Sequence, residues 1–247
     1  MSNRIAPKLL AEFIGTSAFV FIGAGTAAVV GDGVGLAGIV AIAFAHGLAI
    51  MAFAFAYGSV SGGHMNPAVT VGVLAAGAMS VGEAVGYIVS QLIGGVAGAL
   101  LLRTILGGAA TGLGMPALAH NLALGATSLT ITPTTGFTIE ALLAFFLVTV
   151  VLSTAVAGRA SSLAPLAIGM TLTFNILMGG ALTGAPFNPA RALGPMVATG
   201  NFSDAWLYVT APIVGAIIAA IVHTGLARLA LEGTAAKPGS AARMPAE

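Results

Sequence analysis

The sequence predicts an all-α membrane protein with six transmembrane helices and two re-entrant half-helices, arranged as an inverted repeat of three plus three spans. Two observations lead to this prediction. The 247-residue chain is 58% hydrophobic and only 6% charged, whereas a soluble domain carries about 25% charged residues, so its surroundings must be lipid. In addition, an Asn-Pro-Ala motif occurs at Asn66 and again at Asn188, in corresponding places of two apolar halves.

Six segments are long and apolar enough to cross the hydrocarbon core, which takes roughly 20 residues of helix. They are Leu9–Val30, Leu36–Tyr57, Ala84–Leu106, Ile139–Ala157, Leu163–Ala181 and Ala205–Leu226. Two shorter apolar stretches, Asn66–Ala76 and Asn188–Thr199, fit half-helices. Asn is a favoured N-cap, and Pro is tolerated next to it because its missing N–H would be unpaired there. Irregular backbone at membrane depth is tolerated where it lines a water-filled cavity, so the two loops predict a cavity.

The two halves repeat within one membrane domain, 1–247, as about residues 8–106 and 137–230. Glu12 opens the first predicted span and Glu140 the fourth, each upstream of its own Asn-Pro-Ala. An odd number of spans per half turns the second half upside down relative to the first. The half-helices then meet N-terminus to N-terminus near the midplane, and the polar tail, 232–247, is expected to be flexible.

Lys and Arg are expected on the cytoplasmic side of a membrane protein. With the N-terminus inside, the long connection Gly107–Gly136 is extracytoplasmic, together with Arg103 and Arg191. The remaining basic residues are then cytoplasmic: Arg4, Lys8, Arg159, Arg228, Lys237 and Arg243. No evident cleavage site follows the first span, so we read it as a retained helix. We expect an integral multi-pass protein of the plasma (inner) membrane with both termini in the cytoplasm.

The composition argues against several functions. The chain has no cysteine and a net charge of +1, so neither thiolate metal sites nor nucleic-acid binding is indicated. No nucleophile–base pair or metal cluster is recognisable, and we expect no enzyme activity and no cofactor. Small residues recur at four-residue spacing in the third span, a pattern that predicts close helix packing; they are Gly82, Gly86, Ser90, Gly94 and Gly98.

These features resemble the major intrinsic protein family, the aquaporins and aquaglyceroporins. The resemblance covers about residues 8–230 and rests on Glu12, Gly62-Gly63-His64, both Asn-Pro-Ala motifs, Arg191 and Gly194-Pro195. It implies a right-handed six-span bundle with a pore in each subunit, assembled as a homotetramer in the lipid bilayer.

The paired motifs, Asn66-Pro67-Ala68 and Asn188-Pro189-Ala190, are expected to line that pore. Each Asn oxygen would cap its own half-helix and leave the amide N–H groups pointing into the cavity. Each helix start carries roughly half a positive charge. A water molecule there would turn its oxygen to the Asn donors, which interrupts the proton wire, and cations would face a positive field. The alternative is two ordinary N-caps under buried loops.

By the same resemblance, Arg191 lies at an extracytoplasmic constriction; the alternative is an Arg paired at the membrane interface. Alignment on the two motifs adds His46, Ile176 and Ala185 to this filter. The set resembles the tonoplast intrinsic protein subfamily, many members of which pass ammonia, urea or hydrogen peroxide as well as water. Glycerol facilitators typically have aromatic residues in the filter and Asp after the Arg, where this chain has Ala192. His46 could instead be satisfied by a backbone carbonyl alone.

Further residues with an expected role lie in the two spans, the two loops and the long connection. Glu12 and Glu140 are implied to accept hydrogen bonds from the loops, although a proton-coupling pair is an alternative. His64 is expected in the cytoplasmic half of the pore, with a structural ring as the alternative. Pro186 stands where a small hydroxyl residue is common and removes one donor from the second loop. His120 is expected to be a solvated residue of the long connection.

The sequence therefore favours a passive channel that passes water and small neutral solutes and excludes protons and ions. The expected solutes are ammonia and urea, with hydrogen peroxide and glycerol as further candidates. One alternative is a strictly water-selective channel. Another is a secondary transporter, because inverted repeats with broken helices occur there too. The expected midplane has two amides and small residues without a carboxylate ring, which favours the channel. A structural junction protein of the same fold is the last alternative.

Overall fold

The computed structural model describes residues 5–31 and 35–235. Six of its helices are long and apolar enough to span a membrane, as the sequence predicts. The helices are α1 (Ile5–Val30), α2 (Gly35–Ser61), α3 (Pro67–Ala75), α4 (Val81–Ile105), α5 (Pro133–Val151), α6 (Ala164–Thr183), α7 (Pro189–Thr199) and α8 (Ala205–Ala235). The short helices α3 and α7 are the two predicted half-helices.

Local capping makes α5 begin earlier than predicted. Thr132 caps α5 by accepting a hydrogen bond from the Thr135 N–H, and Pro133 occupies the first helical turn. The fourth span therefore begins six residues before the predicted Ile139. The prediction that Glu12 and Glu140 open their spans is wrong, because each is the eighth residue of its helix. Both carboxylates consequently lie inside the bundle.

The two ends of the second half also differ from the prediction. Helix α8 continues to Ala235, so the first residues of the expected tail are helical. The rest of that tail, with Lys237 and Arg243, lies outside the described residues, as does Arg4. At its C-terminal end, α5 passes into a π-helical turn, Leu152–Val156.

The long connection between the halves is partly folded. It contains a single 3₁₀ turn, Gly112–Gly114, and a small antiparallel hairpin of β1 (Leu122–Leu124) and β2 (Thr127–Leu129). His120 is exposed beside this hairpin. The 3₁₀ turn packs against α1 and α7, so part of this connection reaches into the bundle.

The packing is that of two interlocked repeats. Helix α1 packs on α4 and α5 packs on α8, while α2 packs on α6 across the repeat boundary. Each half-helix lies against the last helix of the other repeat, α3 on α8 and α7 on α4. Neither half-helix is therefore supported by its own repeat alone.

Close packing of α4 against α1 depends on part of the predicted small-residue face. A Cβ added to Gly94 would lie 2.6 Å from the Phe13 carbonyl oxygen, and one added to Gly98 would collide with the Ser17 carbonyl. At Gly82, however, an added Cβ would meet nothing within 4 Å. The prediction is wrong for Gly82, because this residue lies in the exposed first turn of α4, before the two helices approach.

Candidate functional site: a pore between the half-helices

The two half-helices are capped in the same way. The Asn66 Oδ1 accepts a hydrogen bond of 2.9 Å from the Ala68 N–H. The Asn188 Oδ1 accepts bonds of 2.9 Å from the Ala190 N–H and 3.2 Å from the Arg191 N–H. Proline follows each Asn at the start of the helix. The predicted N-caps are thus present at both helix starts, and both Asn residues line one cavity.

Each capping Asn also bonds to the opposite loop. The Asn66 Nδ2 donates to the Phe187 carbonyl at 3.1 Å, and the Asn188 Nδ2 donates to the Met65 carbonyl at 2.9 Å. The expectation that the amide N–H groups all point into the cavity is therefore only partly right. A side-chain amide has two donor hydrogens, so one hydrogen on each Asn remains for a permeating molecule.

The residues that supply these two carbonyls have unusual backbones. Met65 and Phe187 have φ angles of +47° and +28°, a region that non-glycine residues rarely adopt. Both side chains are buried, and Gly15 leaves the space that the Met65 side chain fills. Packing and the reciprocal hydrogen bonds stabilise these strained backbone conformations, in which each carbonyl points to the opposite Asn.

The first loop is fixed by a buried carboxylate. Glu12 is 0% exposed. Its Oε1 accepts from the Ser61 hydroxyl at 2.7 Å and the His64 N–H at 2.9 Å. Its Oε2 accepts from the Met65 N–H at 2.6 Å and the Gln91 Nε2 at 2.7 Å. Four donors to one buried carboxylate match the loop-supporting role expected of Glu12.

The second loop is attached to Glu140 by fewer bonds. Glu140 is also 0% exposed. It accepts from the Thr183 hydroxyl at 2.6 Å and from the Phe187 N–H at 2.7 Å. A tyrosine hydroxyl at the matching place of each repeat donates at 2.8 Å to the backbone: Tyr87 to the Ser61 carbonyl and Tyr208 to the Thr183 carbonyl. The two loops therefore share the same anchoring groups, but Glu140 accepts two hydrogen bonds where Glu12 accepts four.

Arg191 lies in the first turn of α7 and is only 3% exposed. Its Nη1 donates to the Gly114 carbonyl at 2.8 Å, and its Nε donates to the His46 Nε2 at 3.3 Å. An added Cβ at Gly114 would collide with the Ala24 carbonyl oxygen, so this close approach of the 3₁₀ turn requires glycine. The guanidinium group is held between α2 and the long connection.

His46 uses both ring nitrogens. The Nδ1 lies 2.8 Å from the Ile42 carbonyl oxygen. A carbonyl only accepts and the Arg191 Nε–H only donates, so these contacts require a neutral ring with its proton on Nδ1. The alternative in which a backbone carbonyl alone satisfies His46 therefore describes only the Nδ1 contact, because Nε2 accepts a hydrogen bond from Arg191. Phe19 packs edge-on against the ring at 5.5 Å between centroids, and Gly23 leaves room for it, since an added Cβ there would lie 2.5 Å from the ring.

The other two expected filter residues are buried nearby. Ile176 and Ala185 are both buried in the same hydrophobic cluster. An added Cβ at Gly179 would lie 3.2 Å from the Ala185 Cβ, so α6 approaches the second loop closely there. Of the four expected filter residues, Arg191 and His46 are joined by a hydrogen bond, whereas Ile176 and Ala185 contribute apolar surface.

His64 lies between a narrow cavity and a wide vestibule. The cavity, which both Asn residues line, has a volume of about 20 Å³, enough for about one water molecule. The vestibule, at the end of the bundle where α1 begins, has a volume of about 660 Å³. The His64 Nδ1 lies 3.1 Å from the Thr70 hydroxyl, and Tyr87 packs edge-on against its ring. Lys8 and Glu83 form an ion pair of 2.6 Å in the vestibule wall.

Sequence reasoning missed two groups of the site. Gln91 bonds both Glu12 and Thr70, and a polar amide in a spanning helix is itself a signal of function. The Gly114 carbonyl could not be assigned by residue type, because every residue has one. The two glycines of Gly112-Leu113-Gly114 are the sign in the sequence of a close backbone approach, and the structure gives this run φ angles of +67°, +51° and +65°.

The comparisons with known proteins agree with this architecture. Residues 2–223 match the sequence model of the family described as Major intrinsic protein. The chain is 39% identical over 226 residues to Aquaporin TIP1-2 of Zea mays, which covers 88% of this chain and 85% of that protein. It is 38% identical over 223 residues to Glycerol uptake facilitator protein-like 6 of Lactiplantibacillus plantarum, which covers 86% and 94%.

A solved structure shows the same fold. The aquaglyceroporin from Plasmodium falciparum superposes with a TM-score of 0.75 over 93% of this chain and 99% of that chain, at 21% sequence identity. The fold and the paired loops define a multi-pass membrane channel. The chain belongs to the major intrinsic protein family, and it is a channel rather than an enzyme. The resemblance to the tonoplast-type members, predicted from the filter residues, is confirmed by the TIP aquaporins among its relatives.

Proposed function

We propose that this channel passes water and small neutral solutes, ammonia and urea above all, and excludes protons and ions. Hydrogen peroxide and glycerol are further candidate permeants. The observation that carries the proposal is the cavity of about 20 Å³ lined by Asn66 and Asn188. Because there is room for about one water molecule, permeants would pass in single file between the two helix starts.

Ion exclusion follows from the electrostatics of this cavity. Two helix N-termini face it, each with about half a positive charge, and Arg191 adds a full charge nearby. A cation entering a space this narrow loses its hydration shell and finds no carboxylate in compensation among the described residues that line it. The free amide hydrogens of Asn66 and Asn188 favour one orientation of the central water, which breaks the chain of hydrogen bonds that a proton would follow.

Passage of solutes is supported by the composition of the filter. A guanidinium group has five N–H donors, and only two of those of Arg191 are engaged, by His46 and Gly114. The remaining donors can replace the hydration of a urea carbonyl or an ammonia nitrogen. Ile176 and Ala185 lie in one buried hydrophobic cluster, and in this proposal they supply the apolar part of the filter wall. The relative named as a glycerol uptake facilitator supports glycerol as a further candidate permeant.

One observation favours a strictly water-selective channel instead. The His46 Nε2 already accepts a hydrogen bond from Arg191, so it is not available to a solute. The two functions differ in a direct measurement. Purified protein in liposomes should accelerate osmotic water flux, ammonia entry and urea entry, without current under an imposed membrane potential. Water flux with both solutes at the empty-liposome rate would establish the narrower function.

The same liposomes separate a channel from a secondary transporter. A channel's flux is proportional to the solute gradient and does not change with imposed sodium or proton gradients, whereas coupling to either ion is expected of a transporter. If water flux equals that of empty liposomes, the channel proposal fails and a junction role gains support.

Further proposals concern the site residues, assembly and location. We assign the pore to the two Asn-Pro-Ala motifs with His64, and loop support to Glu12 and Glu140. The filter is assigned to Arg191 with His46, Ile176 and Ala185. We propose a single domain with repeats at about 8–106 and 137–230 and a flexible tail. We also propose that it assembles as a homotetramer, which native mass spectrometry can test. The sequence suggests the plasma (inner) membrane, but similarity to TIP aquaporins favours a tonoplast; imaging of a tagged chain decides between them.

A further inference from the structure

We propose that Pro186 is a specificity-determining residue of this channel. It removes one of the backbone hydrogen bonds that would otherwise attach the second loop to Glu140, so that Ala185 can yield to solutes wider than water. The proposal rests on the proposed solute range and assigns it to a particular residue. Its basis is a comparison of the two loops, which are matched position by position.

The first part of the argument is a missing backbone donor. The run Gly63-His64-Met65-Asn66 in the first loop matches Ala185-Pro186-Phe187-Asn188 in the second. In the first loop the His64 N–H donates to Glu12 at 2.9 Å. Pro186 occupies the same place and has no N–H, so Glu140 lacks the corresponding bond.

A second donor is missing on the neighbouring helix. Gln91 of α4 donates to Glu12 at 2.7 Å, four residues after Tyr87. Pro212 stands four residues after Tyr208 in α8 and has no side-chain donor. Prolines therefore replace both of the additional donors found in the first repeat. Glu140 holds its loop through Thr183 and Phe187 alone.

The third part of the argument is backbone strain at the filter. Ala185 has a φ angle of +42°, whereas the matching residue of the first loop is Gly63 with φ +64°. Glycine adopts such angles freely, but alanine does not. A following proline further biases the preceding residue toward extended backbone. The filter alanine is thus strained twice over at the point where its loop is least firmly bonded.

The consequence concerns the width of the pore. Pro186 lines the narrow cavity beside Asn188, and the Ala185 N–H is held by the Thr183 hydroxyl at 3.1 Å. Strain at Ala185 favours relaxation of this segment, and the absent bond to Glu140 leaves fewer contacts that oppose the relaxation. The second loop can therefore widen for a solute, while the first loop, with four donors to Glu12, stays fixed.

Two substitutions test the proposal. Pro186→Ala and Pro186→Ser both restore the backbone N–H, and only the second adds a hydroxyl. One charge-assisted hydrogen bond stabilises the narrow form enough to lower the urea-to-water permeability ratio by at least about tenfold. Both variants should show this fall in liposomes, with slower hydrogen exchange at the Phe187 amide. Pro165→Ala is the matched control, because this residue lies in the first turn of α6, away from Glu140.

The outcomes separate this proposal from the proposed function. If wild-type protein passes urea and both variants keep its permeability ratio, the proposal for Pro186 is overturned and the solute range stands. If only Pro186→Ser lowers the ratio, the added hydroxyl is responsible and the backbone argument is overturned. If wild-type protein passes water without urea, the solute range fails, and the Pro186 proposal fails with it.

Discussion

The two buried carboxylates should respond differently to the same substitution, although they occupy matching positions. In Glu140→Gln, the amide oxygen can accept from the Phe187 N–H, and the amide nitrogen can donate to the Thr183 hydroxyl oxygen. The hydrogen of that hydroxyl can turn to the Gly179 carbonyl, which lies within 3.5 Å, so no backbone N–H is left without an acceptor. In Glu12→Gln, either orientation sets the amide NH₂ against a backbone donor, the His64 or the Met65 N–H.

The difference follows from these contacts. An orphaned buried backbone N–H costs about 1–3 kcal/mol, so Glu12→Gln should destabilise the protein by about 2 kcal/mol more than Glu140→Gln. For a chain of this size that corresponds to a difference of about 4–8 °C in the unfolding midpoint. Thermal unfolding of both variants in the same detergent, followed by circular dichroism, measures it. Equal losses, or a greater loss for Glu140→Gln, would refute the reasoning from donor counts.

Three further variants test the pore. Arg191→Val removes the buried charge and should admit a proton current under an imposed potential; an unchanged, silent membrane would contradict the proposed exclusion. Ile176→His combined with His46→Phe should reduce urea flux to the empty-liposome rate while water still passes, and unchanged urea flux would show that the narrowest point lies elsewhere. Gly114→Ala should force the 3₁₀ turn away from the Ala24 backbone, free the guanidinium of Arg191 and raise urea permeability; this reasoning fails if the variant matches the wild type in both stability and flux.

The parts of the site that sequence predicts well are those fixed by local chemistry. An Asn that precedes Pro at the start of a helix is a favoured N-cap. The capping role of the Asn66 and Asn188 oxygens could therefore be assigned from the motif. Their nitrogens could not, because each bonds a carbonyl of the other repeat. The direction of that carbonyl depends on a positive φ at Met65 and Phe187, which residue type does not indicate.

Helix boundaries illustrate the same limit. Hydropathy placed the start of the fourth span at Ile139 because the preceding residues, rich in Thr, are polar. The helix begins earlier because Thr132 caps it and Pro133 fits its first turn. Pro186 shows the converse case: the missing donor could be read from the sequence, but its effect required the count of bonds at Glu12 and Glu140.

The reciprocal bonds between the two loops have a consequence for how the chain matures in the bilayer. Asn66 and Asn188 each complete their hydrogen bonding on a backbone made by the other repeat. A nascent chain that has inserted only its first three spans therefore has a loop with an unsatisfied amide and no opposing wall. The cavity between the two loops forms only when the two repeats dock against each other. We therefore expect a partly synthesised chain to contain no continuous channel, so that it does not leak ions while the second repeat is still being made.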